Sequence, residues 1–176
     1  MSPRVPLVDV PPDTAARLEE LGGRPVNLYR ALANQPEMLT AWVEFAWAVR
    51  RRCRTPRRLR ELMIVRAARL TRCDYERIHH EHMAARAGVS REELDALDEW
   101  RQSNAFEQAE RAALAFVDAM VAGEVSESVA GELARHFDAG ERVELTLTAG
   151  LYCMVPRVIS ALSVPLEDDA EPGPER

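Results

Sequence analysis

The sequence predicts an all-α fold: a single-domain helical bundle with short connections. Three observations carry this. Apolar residues recur at spacings of three and four along most of the chain, and no window sustains the period-two alternation of a half-buried strand. Alanine and leucine are abundant while aromatics make up 6% of the 176 residues, a composition that suits packed helices better than stacked sheets. Proline, glycine and capping-type residues fall between the periodic segments and keep the connections short. With 47% hydrophobic residues the chain can bury a real core.

The elements follow in order. Residues 1–12, MSPRVPLVDVPP, contain four prolines and read as an extended N-terminal arm. Residues 13–166 form the helical domain. Asp13 is placed to cap a short helix that ends at Gly22-Gly23. Pro25 opens a second helix through Leu28 and Leu32, which stops before Pro36. Pro36 stands at the first position of PEMLTAWVEFAWAVRR, where Leu39, Trp42, Val43, Ala46 and Trp47 share a stripe. Pro56 opens PRRLRELMIVRAARL. Thr71 with Asp74 reads as a capping box for a helix that runs to Gly88, and Ser90 with Glu93 repeats the pattern for a short helix to Trp100. Helices follow from about Glu107 to Ala122, from Ser126 to Phe137 and from Glu141 to Leu162, the last kinked at Pro156. Residues 167–176, EDDAEPGPER, read as a disordered acidic tail.

The helix from Glu141 is apolar on nearly every side, through Val143, Leu145, Leu147, Leu151, Met154, Val155 and Ile159. Thr146, Thr148, Pro156 and Arg157 interrupt it, so a buried helix is expected rather than a membrane span. In a small domain such a helix is central or shared between subunits, and a homo-oligomer is expected.

Charge and composition narrow the function. The formal net charge is −6, and all 23 basic residues are arginine. Without lysine there is no Schiff-base nucleophile and no Walker-type phosphate loop. The acidic balance argues against nucleic acid as a partner. Seven arginines crowd Arg50–Arg60, where a solvated or subunit-contacting turn is expected. The three cysteines, Cys53, Cys73 and Cys153, are far apart and no secretory signal precedes them. Reduced thiols and a cytoplasmic location are expected, with no cofactor and no metal.

The chemistry-bearing stretch is CDYERIHHEHMAARAG, residues 73–88. At 100° per residue, Cys73, Glu76 and His80 fall within about 60° on one helical face. Glu76 and His80 are four apart and can pair, as a surface ion pair or as a buried functional one. His79 and His82 lie on other sectors, so the three histidines do not converge on a metal. Glu61 belongs to the preceding helix, with Ile64, Val65 and Ala68 at its helical neighbour positions. A carboxylate centred in an apolar stripe is paired or working. If the two helices pack antiparallel, the two faces meet.

The run RELMIVRAARLTRCDYERIHHEHMAARAG resembles the core motif of the carboxymuconolactone decarboxylase and alkylhydroperoxidase-D superfamily. NLYRALANQPEMLTAW before it and YCMVPRVISALSVPLE near the end extend the resemblance over about Pro25 to Glu167. It implies an all-helical fold and a homo-oligomer, trimer or hexamer. The peroxidase branch carries Cys-x-x-Cys then His, with an upstream glutamate. Glu61, Cys73 and His80 match, but position 76 is glutamate where the attacking thiol stands. A helix N-terminus should acidify Cys73 somewhat, while Glu76 one turn on opposes the thiolate.

The decarboxylase branch has Glu-x-x-x-His, which Glu76 and His80 match. It implies general acid–base chemistry on a small lactone acid or related carbonyl compound, with Glu61 positioning His80. Two alternatives stand beside it: a thiol-dependent peroxidase using Cys73, and a non-catalytic oligomeric binding protein.

Overall fold

A computed structural model describes residues 2–167; of the expected tail, only Glu167 lies within the described residues. These residues form helices without a strand: α1 (Pro12–Glu20), α2 (Asn27–Leu32), α3 (Pro36–Arg51), α4 (Arg57–Leu70), α5 (Asp74–Arg86), α6 (Arg91–Ala96), a 3₁₀ turn (Leu97–Glu99), α7 (Gln108–Ala122), α8 (Glu127–His136) and α9 (Ala139–Leu162).

Most boundaries have a local cause. Ser90 and Glu93 close a reciprocal capping box on α6, and the Ser126 hydroxyl accepts from the Val129 amide at α8. α7 ends at Gly123, in the left-handed conformation glycine takes at no steric cost. Two expected caps are absent. α1 starts at Pro12 behind Pro11, whose fixed φ preorganises the turn, so Asp13 sits inside the first turn. Thr71 does not cap α5. Its hydroxyl donates back to the carbonyls of Ala67 and Ala68 at 2.8 and 3.2 Å.

Arg72 then takes φ +53°, and the Cys73 amide reaches the Ala68 carbonyl at 2.9 Å. α4 therefore closes in a Schellman turn, and the next residue, Cys73, becomes the N-cap of α5.

The chain divides into two compact units. One contains, among the described residues, 2–52 together with 157–167. Its core includes Leu18, Leu39, Val43 and Trp47. Arg17 pairs with Glu44 at 2.7 Å. A Cβ at Gly23 would stand 2.5 Å from the Trp47 ring, so glycine is required there. The Arg4 amide donates to the Leu162 carbonyl at 2.9 Å, and the Glu167 carboxylate accepts from the Asn27 amide at 2.6 Å.

The other unit runs from Cys53 to Pro156. Its centre is α4, buried at every position from Leu59 to Ala68 and packed against α5 and α7. Leu62 and Val65 meet Ala84, Leu94, Leu97, Trp100 and Leu114. The fully buried Ala84 methyl lets α5 approach closely.

Two arginines of α4 are drawn inward. Arg66 donates to Asp118 at 2.7 Å and to the Leu97 carbonyl at 3.2 Å, and Arg60 donates to the Thr55 carbonyl at 3.3 Å. The arginine run is accordingly not a uniformly solvated turn: Arg58 also bridges Glu93 and Glu110. Buried guanidinium groups need acceptors: backbone carbonyls serve both, and Asp118 of α7 adds a carboxylate for Arg66.

α9 continues as helix through Pro156. By length and composition it is the one described helix that could cross a membrane, and 44% of its most apolar window is buried. Leu145, Thr148, Ala149, Leu151, Tyr152 and Val155 face inward, while Val143, Leu147 and Met154 are exposed along one helical stripe.

Candidate active site

α4 and α5 bring Glu61, Glu76 and His80 together. Glu61 is 0% exposed and His80 1%. His80 Nδ1 donates to Glu61 Oε2 at 2.7 Å. On the other side of the ring, Nε2 lies 3.4 Å from Glu76 Oε2. One imidazole thus sits between two carboxylates from two helices. With Nδ1–H given to Glu61, the contact at Nε2 needs a second proton, held by the imidazole or by Glu76. Burial, the largest influence on His80, disfavours its charge. The charge and hydrogen bond of Glu61, then those of Glu76, outweigh it, so His80 titrates above its ordinary value.

Two residues that the sequence did not single out, Tyr152 and Arg57, complete the surroundings. Tyr152 of α9 presents its ring to His80 edge-on, with centroids 4.8 Å apart. Arg57, one turn before Glu61, donates Nε–H to Glu61 Oε1 at 2.5 Å. The Arg57 Nη2 group also contacts Met83 Sδ at 3.6 Å. The i, i+4 spacing of Arg57 and Glu61 was available as a signal, masked by the surrounding arginines. No local signal marked Tyr152.

Cys73 stands at the start of α5, with the amides of Glu76 and Tyr75 directed at its sulfur. Its thiol is nonetheless pushed up. Burial is the main cause; the two amides favour the thiolate, while the charges of Glu76 and Asp74 oppose it. The expected acidification by the helix terminus is therefore overturned, because the burial cost exceeds the help of the amides. Cys73 also borders an open groove of about 560 Å³, together with Arg69, Arg72, Asp74, Arg77 and Glu81. Arg69 pairs with Glu81 and Arg77 with Asp74, each at 2.9 Å. The other two histidines of α5 are placed apart from this chemistry: His79 stacks on Tyr75 at 4.6 Å, and His82 is exposed.

The fold is that of alkylhydroperoxidase-D-like proteins. An uncharacterized peroxidase-related protein from Ralstonia eutropha JMP134, with an alkylhydroperoxidase AhpD core, superposes with a TM-score of 0.80 at 17% identity, over 96% of this chain and 94% of that one. The debrominase Bmp8, as a cysteine-to-alanine variant in complex with 2,3,4-tribromopyrrole, gives a TM-score of 0.79 at 21% identity, over 93% and 92% of the two chains. The chain belongs to the carboxymuconolactone decarboxylase family, whose model matches residues 36–119. It is 33% identical over 124 residues to the uncharacterized protein YnjA of Escherichia coli (strain K12), spanning 69% of this chain and 68% of that protein.

Proposed function

We propose that this protein is an enzyme performing general acid–base chemistry, decarboxylase- or isomerase-like, on a small organic acid, lactone or related carbonyl compound. The observation that carries the reading is the buried imidazole held between two carboxylates. Loss of CO₂ from such a substrate, or removal of a proton beside its carbonyl, leaves an enolate-like anion. His80 in its protonated form stabilises that charge, and Nε2–H or Glu76 delivers the proton to carbon. In the isomerase direction the Glu76 carboxylate takes the proton first. Glu61 keeps the ring oriented throughout. Burial strengthens each of these interactions over its value in water. A cytoplasmic homo-oligomer is part of the same reading, with the exposed stripe of α9 as the contact.

A thiol-dependent peroxidase using Cys73 is the second reading. It is favoured by the amides aimed at the sulfur and by the groove that reaches it. Against it stand the raised thiol and the glutamate at position 76.

The test measures CO₂ release and deuterium incorporation from solvent on a panel of small lactone carboxylates and 3-oxo acids. Wild type, Cys73→Ser, Glu76→Gln and His80→Asn are compared, with an organic hydroperoxide as the parallel substrate. The proposal expects Cys73→Ser to keep turnover and the other two to lose about 100-fold or more. Hydroperoxide turnover lost only in Cys73→Ser would establish the second reading. Indifference of every substrate to all three changes would establish a binding protein.

A further inference from the structure

We propose that Arg57 is a positioning residue for His80, acting through Glu61: it holds Glu61 as a carboxylate, fixes Nδ1 as the donating nitrogen, and leaves Nε2 as the atom whose proton changes. The inference deepens the acid–base reading and rests on it for its catalytic consequence alone.

The geometry is a chain of directed contacts. Glu61 uses its two oxygens separately, Oε1 for Arg57 Nε at 2.5 Å and Oε2 for His80 Nδ1 at 2.7 Å. The Arg57 guanidinium also touches Met83 Sδ at 3.6 Å, three residues after His80 on α5, so it links the two helices beside the imidazole. Glu61 is completely buried, while the Arg57 side chain is 28% exposed. The guanidinium therefore connects a buried carboxylate to the protein boundary.

A carboxylate with no access to water shares a proton with its partner unless a fixed cation stabilises its charge. Arginine stays protonated at every working pH, and its planar fork holds one orientation. With Glu61 ionised, Nδ1–H has its acceptor and the tautomer is settled. The groups facing His80 are Glu61 from α4, Glu76 from its own helix and the Tyr152 ring from α9. Cys73, at the start of α5, faces Glu76. Arg57 is hydrogen-bonded to this set through Glu61, and the charge of buried Arg60 also acts on Glu61. Removing Arg57 favours protonation of the Glu61–His80 pair, which would hold its shared proton to higher pH.

The experiment follows the ¹⁵N and ¹H side-chain resonances of His80 against pH in wild type, Arg57→Gln and Arg57→Lys, assigned with His80→Asn. In wild type, above the titration midpoint, the neutral ring should carry its hydrogen on Nδ1, with a downfield resonance from the bond to Glu61. In Arg57→Gln the midpoint should rise by about one pH unit. Arg57→Lys, which keeps the charge, should restore most of the difference.

An unchanged midpoint in a helical Arg57→Gln overturns the proposal. So does a wild-type ring that is neutral with its hydrogen on Nε2, a result that needs no variant. The two proposals fail separately. If the chemistry is wrong, wild type shows no turnover while the resonances behave as described. If Arg57 has no such role, the resonances depart while Glu76→Gln still abolishes turnover.

Discussion

Replacing Glu61 by Gln removes the charge on which the site depends while keeping its volume. The side chain is fully buried and receives two charge-assisted hydrogen bonds, from Arg57 at 2.5 Å and His80 at 2.7 Å. Such bonds contribute about 1.5–3 kcal/mol each. The bond to Arg57 belongs at the low end, because that side chain is partly exposed. The amide oxygen of glutamine keeps one neutral bond of about 1 kcal/mol. The expected loss is about 3 kcal/mol, at the lower edge of the range for breaking a buried ion pair. For a chain of this length that lowers Tm by about 6–12 °C.

The loss should depend on pH with a defined sign. The folded-state value of His80 is raised, so its contribution is fully present below its unfolded value of about 6.5 and is lost as pH rises through the folded value. Glu61 is the leading cause of the rise. Without it the burial penalty is left opposed by Glu76 alone, and the imidazole should titrate lower. The gap between wild type and Glu61→Gln should therefore be wider at pH 6 than at pH 9. Thermal unfolding followed by circular dichroism at both pH values measures it. A Tm drop below about 2 °C, or the same gap at both pH values, would refute the reasoning.

Three further outcomes are expected. Alkylation of Cys73 by iodoacetamide, read by peptide mass spectrometry, should be slow at neutral pH and accelerate only above about pH 9, since burial holds the thiol up; a rate already saturated at pH 7 would contradict this. Arg72→Gly should raise stability by about 0.5–1 kcal/mol in urea denaturation, because φ +53° is strained for arginine and free for glycine, while glycine returns part of the gain as unfolded-chain entropy; a destabilised variant would show that the arginine side chain contributes more than its backbone costs. Light scattering of wild type should give a multiple of 19.8 kDa, and Leu147→Glu with Met154→Glu should reduce it while helicity is kept; a monomeric wild type would remove the α9 stripe as a contact. Leu151 is 4% exposed, so a charge there would test the core instead of the contact.

The sequence by itself determined the helical class and most helix positions. Capping boxes, helix-opening prolines and the 3.6-residue stripe are local, and local chemistry decides them. Ser90 with Glu93 acts as a cap because both partners lie within one turn. The face shared by Cys73, Glu76 and His80 follows from spacing, and the isolation of Glu61 among apolar neighbours already marked it as a paired group. The motif also pointed to the family to which the chain belongs.

Tertiary structure decided the rest. Thr71 looked like a cap, but the turn closing α4 left its hydroxyl on its own helix and moved the cap to Cys73. The net effect on that thiol depended on burial, which no local pattern states. Arg66 became interior because acceptors on distant elements were there to receive it. Tyr152 reached His80 from a helix near the other end of the chain. In each case the deciding quantity is the free energy of a group removed from water, set by neighbours that only packing brings near.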